Sequence, residues 1–441
     1  MNPLPLQGAH VAHCDIVQGD RRRLMAERSV ARSTARFERK REAILDAATE
    51  LLNRAGVRGL TLADAASAVG LSTTSVTYYF KRKDDLAAAC LMRGIDTMHG
   101  FAEEACAEPT PSARARRLIE LHFERLAQEK TGEAPPLPVL SDLRALNQPR
   151  RTEVFQAFMR LFRKARQIFD APELAGLSRG RKTARTHLLL EQLFWASAWL
   201  GRYDAEDHPR LAERMHDILT GGLGGPGAVW EPAPMPLAEL AGGDPQELSR
   251  DTFLLAATRL INSRGYRGAS VELISAELNV TKGSFYHHID AKDDLVVACF
   301  ERTFEVMRRV QRKAMTAPGD QWGRLVSAGA ALAEFQLSEH GPLLRSSALS
   351  AVPERIREKM VEQSNRVSDR FAAMISDGIA EGSIRAVDPF IAAQMLNATL
   401  NAGAELGFWV PGVKQKAAPA VFLRPLLMGL FETSGLRPVP S

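Results

Sequence analysis

The chain has 441 residues, of which 45% are apolar and 25% charged, and its formal net charge is +5. This length predicts two or more domains, and the composition is that of globular rather than disordered or fibrous protein. No apolar run is long enough to span a membrane, the N-terminal region has no signal-peptide core, and the four cysteines show neither metal-ligand spacing nor a disulfide framework. We therefore expect a soluble, cytoplasmic protein.

A basic segment comes first along the chain. Asp20 to Arg41 is dense in arginine and immediately precedes the first structural motif. Such an arm can lie along DNA phosphates or in a minor groove, and a solvated tail has the same composition. We assign residues 1–36 to a disordered basic arm. Met25 begins a second possible start, in which case residues 1–24 are an extension without a role.

The next residues have the pattern of short helices. Apolar residues recur at helical spacing from Ile44 to Ala55, and Gly56 ends this first helix because glycine takes positive φ readily. Thr61 is placed to cap a second helix, with Asp64 three residues later in a capping-box position.

A third helix follows after a tight turn. Gly70 makes the turn, and Ser72 caps a helix that runs to about Phe80. Two short helices joined by a glycine turn form a helix-turn-helix, whose second helix can enter the DNA major groove. The sequence therefore predicts a DNA-binding head.

The same motif occurs again 209 residues later. Gly56–Leu86 aligns without a gap with Gly265–Leu295, and about a third of the positions in and just before this stretch are identical. Thr281 replaces Ser72 as the cap, and Asn279 replaces Gly70, asparagine being the next-best residue for a left-handed turn. One long period indicates two copies of a whole domain rather than a solenoid, whose period is about 20–50 residues.

Both copies resemble the TetR family of bacterial transcription regulators. The first copy retains the family pattern at Thr61, Ala66, Gly70, Ser72, Tyr79, Phe80 and Lys83. The second copy retains it at Val280, Thr281, Lys282, Gly283, Ser284, Phe285, Tyr286 and Lys292. Thr74, Thr77 and Ile289 stand where the family usually has Gly, Tyr and Phe, which leaves the half-site sequence open.

The resemblance implies an all-α fold of two tandem units, each with a three-helix DNA-binding head and a helical body for ligand binding and dimerisation. We predict heads at 37–86 and 246–295 and bodies at 87–222 and 296–441. Residues 223–245 are rich in Gly, Pro and Ala and are predicted to be the linker. The candidate body helices are 84–106, 112–130, 137–147, 152–170, 182–203 and 208–222, then 293–316, 320–339, 341–350, 353–381, 388–407 and 418–434.

In proteins of this kind the last two helices of each body form a four-helix dimer bundle. The candidates here are 182–203 with 208–222, and 388–407 with 418–434. Residues 188–195 are too apolar to be a solvated face. Two equivalent helix pairs in one chain favour pairing within the molecule over pairing between two molecules.

Position within the motif, together with the resemblance, assigns the DNA contacts. The residues expected to face bases are Thr73, Thr74, Ser75, Thr77, Lys282, Gly283, Ser284 and Tyr286. Those expected to hold phosphates are Thr61, Tyr78, Tyr79, Lys83, Ser270, His287, His288 and Lys292. The alternatives are helix capping for the hydroxyls and a surface pair for the two histidines. No third ligand accompanies that pair, so no metal site is expected.

A ligand pocket is the least sharply marked site. Aromatic and amide side chains on the body helices are its candidates, namely Phe123, Phe158, Phe162, Gln192, Trp195, Trp322, Phe335, Phe371, Asn397 and Asn401. Aromatic residues at helical spacing are more often core, and amides more often face neighbouring helices.

Together these features predict a ligand-responsive, DNA-binding transcription regulator. We expect a repressor acting as an intramolecular pseudo-dimer on two unlike half-sites, released by a small apolar or amphipathic inducer. The alternative is a ligand-independent activator or architectural DNA binder. The chain lacks nucleophile-elbow, phosphate-loop and zinc-protease motifs, and His187, His208 and His340 lack obvious partners. We therefore expect neither enzymatic activity nor a cofactor.

Overall fold

The computed structural model describes residues 11–242, 248–265, 269–278 and 292–434. Within these ranges the elements are helices, and the one β-type pairing is an isolated bridge between Gly224 and Ile384. Buried apolar side chains form a continuous core through both halves. None of the helices described is long and apolar enough to cross a membrane. The predicted all-α fold is confirmed.

The first head consists of α1 (Val11–Gly59), α2 (Leu62–Ala68) and α3 (Thr73–Tyr79). α1 bends at Gly56, whose φ is 67°, where the sequence predicted the end of the helix. Thr61 caps α2 by accepting a 3.0 Å hydrogen bond from the amide of Asp64. Ser72 caps α3 in the same way, from the amide of Ser75 at 3.2 Å. These contacts are the ones that the helix-turn-helix pattern predicted.

The N-terminal segment departs from our expectation. We expected residues 1–36 to be a disordered arm, but the backbone from Val11 onward is helical and continues directly into α1. Six arginines and four alanines stand among residues 11–36, and both residue types are strong helix formers. The expectation of disorder rested on charge density alone and is wrong for residues 11–36.

Five helices build the first body. They are α4 (Lys83–Ala105), α5 (Pro111–Thr131), α6 (Arg150–Arg166), α7 (Arg179–Leu200) and α8 (His208–Gly221). The predicted helix at 137–147 is instead an extended stretch followed by a 3-10 helix, Leu140–Ala145. Pro138 lies within the extended stretch, and proline disfavours a helical conformation at the residue before it, here Leu137.

The predicted linker lies against the second half. It contains a short helix, α9 (Leu237–Ala241), whose Leu240 is buried. The indole Nε1 of Trp322 donates a 2.9 Å hydrogen bond to the carbonyl oxygen of Val229. The exact domain boundaries stay a prediction.

The second unit repeats the helices of the first. They are α10 (Leu248–Arg264), α11 (Val271–Glu277), α12 (Lys292–Met315), α13 (Gln321–Gln336), α14 (Glu354–Glu381), α15 (Pro389–Ala402) and α16 (Leu406–Trp409), then a π-helical turn (Pro419–Leu423) that leads into α17 (Arg424–Met428). The predicted third helix of the second head, with Asn279 and Thr281, lies outside the described residues.

Equivalent cysteines make the same contact in both units. Cys90 donates from Sγ to the carbonyl oxygen of Leu45 at 3.6 Å, and Cys299 to that of Leu254 at 3.5 Å. Burial raises the pKa of the Cys90 thiol to about 11 and that of Cys299 to about 12. Both thiols therefore stay protonated and pack as part of the core.

Helices α7 and α15, one from each half, lie against each other. The amide Nε2 of Gln192 on α7 donates to the carbonyl oxygen of Met395 at 3.1 Å and to Oγ1 of Thr399 at 2.9 Å. The indole Nε1 of Trp195 donates to Oε1 of Gln394 at 3.1 Å. Because Gln192 is only 1% exposed, its hydrogen bonds fix the register of the two helices.

The contact between α7 and α15 predicts a charge-specific loss of stability. Gln192→Glu places a carboxylate against the Met395 carbonyl oxygen and should lower stability by roughly 2–4 kcal/mol, measured as a fall in the midpoint of thermal unfolding. Gln192→Leu should cost less, because Thr399 Oγ1 already donates to the Met395 carbonyl at 2.9 Å. Arg179→Ala, in the exposed first turn of α7, is the matched control. Equal losses for the glutamate and leucine variants would contradict a buried amide at this contact.

Candidate nucleic-acid interface and cavity

The outer face of α3 carries the residues expected to read bases. Thr73 and Thr74 are exposed, and Ser75 and Thr77 are half-buried. On the opposite face Val76 is fully buried and holds α3 against the head core. The helix therefore presents its hydroxyl residues outward as a group.

Several of these hydroxyls also hydrogen-bond within the head. Thr77 donates from Oγ1 to the carbonyl oxygen of Thr74 at 2.8 Å, and the hydroxyls of Ser72 and Ser75 lie 2.9 Å apart. Thr61 donates from its hydroxyl to Oδ2 of Asp64 at 2.6 Å. Capping thus accounts for part of their role, and their contacts with DNA stay a prediction.

The flanking residues lie beside α3. Tyr78 is 69% exposed, whereas the ring of Tyr79 packs on Phe37 of α1 with centroids 4.6 Å apart. Lys83, at the start of α4, donates from Nζ to the carbonyl oxygen of Arg58 at 3.2 Å. These positions border the outer face of α3, on the side expected to meet phosphate.

For the second head, the structure describes few of the residues that are expected to contact DNA. Ser270 caps α11 by accepting a 3.3 Å hydrogen bond from the amide of Leu273, which matches the role of Thr61. Lys292 begins α12, but its side chain is not described. The other predicted contacts of this copy lie outside the described residues, namely Lys282, Gly283, Ser284, Tyr286, His287 and His288.

Each head is tied to its own body by one asparagine. Asn53 on α1 donates to the carbonyl oxygen of Leu137 and accepts from the amide of Val139, both at 2.8 Å. Asn262 on α10 donates to the carbonyl oxygen of Leu343 at 2.9 Å and accepts from the amide of Arg345 at 3.0 Å. We call these two residues the asparagine clamps.

Sequence reasoning did not single out the clamps. Asn53 and Asn262 are nevertheless identical residues at equivalent positions of the repeat, near the end of the first helix. A polar residue kept in both copies on an otherwise apolar helix is the signal that would have found them.

A cavity of about 1040 Å³ lies between the two bodies. Of the predicted pocket residues, Phe158, Trp195 and Asn401 line it. Phe123, Phe162, Gln192, Trp322, Phe335, Phe371 and Asn397 do not line it, and all seven are buried elsewhere in the packing.

Two of the predicted amides hold other helices. Gln192 bonds α15, and Asn397 donates from Nδ2 to the hydroxyl of Ser368 on α14 at 3.1 Å. Phe162 stacks on Trp409, with ring centroids 4.0 Å apart, and so supports the wall from behind. These side chains shape the cavity without lining it.

Charged side chains meet at one part of the wall. Arg345 pairs with Glu405 and lies 3.8 Å from Glu191, so one guanidinium bridges two carboxylates from different halves. His187, Glu191 and Glu405 place potential metal-ligand atoms within 4.8 Å of one another. Because the Arg345 guanidinium already faces both carboxylates, the group fits an ion-pair cluster better than a cation site.

His187 also corrects a sequence expectation. We expected this residue to lack partners, but Nε2 lies 3.2 Å from the carbonyl oxygen of Ala402, and the ring packs between Trp409 and Phe422. The partners come from the other half of the chain, which spacing along the sequence does not reveal.

A buried histidine contributes to the cavity wall from α5. Its ring nitrogen Nε2 lies 3.0 Å from the carbonyl oxygen of Leu193, so His122 carries its proton on Nε2 and donates it there. Burial lowers the pKa of His122 to about 4, so the ring is neutral near pH 7. Its other nitrogen, Nδ1, is then an acceptor.

Glu129 is the titratable group that holds the stretch clamped by Asn53. Its Oε1 accepts a 2.9 Å hydrogen bond from the amide of Leu137, and Arg125 lies 3.5 Å away. Burial raises the pKa of Glu129 to about 7, with Arg125 opposing the shift. When folding raises the pKa of a carboxyl, the stability of the fold falls as pH rises from the pKa of the unfolded state through the pKa of the folded state.

Glu129→Gln keeps the acceptor for Leu137 and removes the charge. We expect the unfolding midpoint of this variant, relative to the natural protein, to increase from pH 5 to pH 7 and then level off. Thermal unfolding of both proteins across this range measures the difference, which cancels the titration of groups that they share. Glu133→Gln, on an exposed glutamate just after α5, is the control and should show no such trend. A constant difference across the range would mean that Glu129 titrates normally.

Both copies of the repeat match a known protein family. Residues 44–90 and 253–299 each match the sequence model of "Bacterial regulatory proteins, tetR family". No match was found among curated proteins.

Several solved structures are similar to one half of the chain. The TetR family transcriptional regulator PfmR from Thermus thermophilus is 19% identical, with a TM-score of 0.33, over 40% of this chain and 92% of that chain. FadR from Bacillus subtilis, solved in complex with stearoyl-CoA, is 18% identical, with a TM-score of 0.33, over 40% of this chain and 97% of that chain. The fatty acid degradation regulator FadR from Bacillus halodurans is 17% identical, with a TM-score of 0.33, over 41% and 93%.

Proteins of the matched family are DNA-binding transcription regulators and are generally not enzymes. Each of its two matches covers the helices of a predicted head and the start of the following body helix. Each half of the chain thus carries a segment of the tetR family of bacterial regulatory proteins, and the chain consists of two tandem TetR-like units.

Proposed function

We propose that this chain is a ligand-responsive repressor whose two halves form an intramolecular pseudo-dimer on DNA. The observation that carries the proposal is the contact between α7 and α15, in which Gln192 and Trp195 of one half bond residues of the other. A single chain with two heads on one folded core carries both DNA-reading helices, so a second chain need not associate. The protein would act in the cytoplasm, where its DNA lies.

The two readers would recognise different bases. In the first head, threonines at the exposed start of α3 suit contact with a thymine methyl group. In the second, Lys282 occupies the equivalent region of the sequence, and lysine suits guanine O6 and N7. Unlike readers in one chain favour an asymmetric operator over a palindrome.

Ligand control would act through the bodies. An inducer releases DNA when it binds more tightly to a body arrangement that spaces the heads wrongly for the groove. The asparagine clamps support this route, because each joins a head helix to a body segment that contributes to the cavity wall. A small apolar or amphipathic inducer is the class we propose.

Selection of binding sites from random duplexes, followed by native mass of the complex, tests this function. We expect one chain on an asymmetric site whose two half-sites differ. Because the heads are linked, affinity should not fall at low protein concentration as that of an obligate dimer does. Two chains on a palindrome would contradict the pseudo-dimer. DNA binding that no small molecule alters would favour a ligand-independent activator or architectural role.

Substitutions of Lys83 and Lys282 distinguish contact with phosphate from contact with bases. Lys83→Ala should weaken binding to all sequences about equally and reduce the slope of log affinity against log salt by about 1. Lys83→Arg should retain both, since it keeps the charge, and it also controls for the loss of the bond to the Arg58 carbonyl. Lys282→Ala should instead change base preference at one half-site, by roughly 1–3 kcal/mol. A change of base preference in Lys83→Ala would contradict its assignment to the backbone.

A further inference from the structure

The wall of the cavity is a composite of both halves of the chain. Its wall is drawn from α4 to α7 of the first half and from residues 345–349, α14, α15 and α16 of the second. Gly94 and Met98 on α4 line it, whereas their repeat equivalents Thr303 and Met307 do not and are buried.

The two copies also differ in what lies beside the Gly94 position. A methyl group at Gly94 would meet Cγ of Pro138 at 2.4 Å, so the extended stretch lies directly on α4 in the first body. In the second body the equivalent Thr303 accepts a 2.9 Å hydrogen bond at Oγ1 from the amide of Leu344 and fills this space. The equivalent positions of the two bodies are therefore filled differently, by Pro138 in the first and by the threonine side chain in the second.

The rim of the cavity is apolar and exposed. Val139 and Phe155 from the first half are 42% and 36% exposed, and Val361 and Phe408 from the second are 40% and 51% exposed. The rings of Phe155 and Phe408 meet edge to face across the two halves, with centroids 6.1 Å apart. Exposed apolar side chains gathered at one opening are typical of a binding site for an apolar group.

The wall has more unpaired hydrogen-bond donors than acceptors. Nε1 of Trp199, Nε1 of Trp409, Nε of Arg345 and Nε of Arg357 are buried and have no partner among the described residues. Within the same part of the chain, the unpaired acceptor of the wall is His122 Nδ1. A wall whose unpaired polar atoms are mostly donors favours a ligand with acceptor oxygens over one that brings further donors.

The carboxylates that line the cavity do not offset this excess of unpaired donors. Glu191 and Glu405 face Arg345, Glu129 accepts from the Leu137 amide, and Asp369 is exposed at the edge. Arg357, by contrast, makes one long contact, from Nη2 to the carbonyl oxygen of Val352 at 3.5 Å. Its guanidinium therefore has hydrogen-bonding capacity left for an anion.

We propose that the cavity binds one aromatic carboxylate per chain, with its rings between aromatic walls from both halves and its carboxylate at Arg357. The inference rests on the proposed function, because it names the class of effector and the place where it acts. The wall includes Val139 and Arg345, whose amides are held by Asn53 and Asn262, so one ligand touches the supports of both heads.

Three matched probes test the ligand class on the full chain. They are 2-naphthoate, 2-naphthylmethanol and 2-naphthylmethylamine, which share a ring system and differ in charge. Calorimetry gives the affinity and native mass spectrometry the stoichiometry. We expect one naphthoate per chain, bound at least tenfold more tightly than the alcohol or the amine, because a charged hydrogen bond distinguishes it. Two naphthoates per chain, equal affinities or no binding of any probe would overturn the proposal.

Variants test the composite wall. Phe155→Ala in the first half and Phe408→Ala in the second should each weaken naphthoate about five- to tenfold, from lost aromatic contact. Val229→Ala, on another exposed apolar side chain that does not line the cavity, should leave affinity unchanged. An effect from one half alone would place the ligand in that half and overturn a shared site.

Arg357→Met tests the anion anchor. It should remove the preference for naphthoate over the alcohol while leaving alcohol affinity unchanged, which a merely structural role would not do. Arg355→Met, on an exposed arginine of the same helix that does not line the cavity, is the control. Retained preference in Arg357→Met would contradict the assignment.

A DNA assay separates the two proposals. Binding to the selected operator is measured with and without saturating naphthoate. If naphthoate binds once, depends on both halves and leaves DNA affinity unchanged, the site stands and the inducer role fails. If DNA is bound specifically and no probe binds, the DNA-binding function stands and the inferred ligand site fails.

Discussion

The packing of α7 against α15 is the constraint on which the rest of the arrangement depends. Leu188, Leu189 and Leu193 on α7 are fully buried, as is Leu396 on α15, and apolar burial makes their association favourable. Gln192 adds direction, because its buried amide must meet the acceptors that α15 provides. Once these helices are in register, the bodies have one relative placement, and the shape of the cavity between them follows.

A tandem chain can differentiate its halves in a way that a homodimer cannot. In a homodimer every substitution occurs on both sides of the axis, whereas here each copy changes alone. Features that hold each unit together are the same in both copies, such as the asparagine clamps and the buried cysteines. Other positions differ between the copies, such as Thr73 and its equivalent Lys282 in the predicted DNA-reading helices, or Gly94, which lines the cavity, and its equivalent Thr303.

Local patterns in the sequence were sufficient for the elements and the heads. Thr61 and Ser72 cap the helices that their spacing predicts, and Gly56 takes the positive φ that its position requires. Helical periodicity also located most of the body helices to within a few residues. The exceptions are residues 137–147 and 341–350, where short 3-10 helices follow non-helical stretches, and residues 418–434, where the helix ends at Met428. These features depend on neighbours along the chain, which a single sequence displays.

The cavity depends instead on contacts between distant segments. Phe158 and Phe162 are alike in sequence, yet the first lines the cavity and the second stacks behind Trp409, about 250 positions away in the chain. Arg345 and Arg357 look like ordinary surface arginines, and only the fold brings them to the aromatic wall. Periodicity identifies which side chains are buried, but not which of them face a void.

Covalent linkage also limits how a ligand can act. A dimer of separate chains can release DNA by dissociating, whereas linked halves can respond only by changing their relative placement. Reversing a two-state preference from 1:99 to 99:1 takes about 10⁴-fold tighter binding to one state. A ligand held by one half alone makes the same contacts in either placement and supplies no such difference. A ligand between Phe155 of one half and Phe408 of the other does, because its contacts exist in only one placement. The boundary between the halves is therefore the site at which a small molecule has most control over a single-chain regulator.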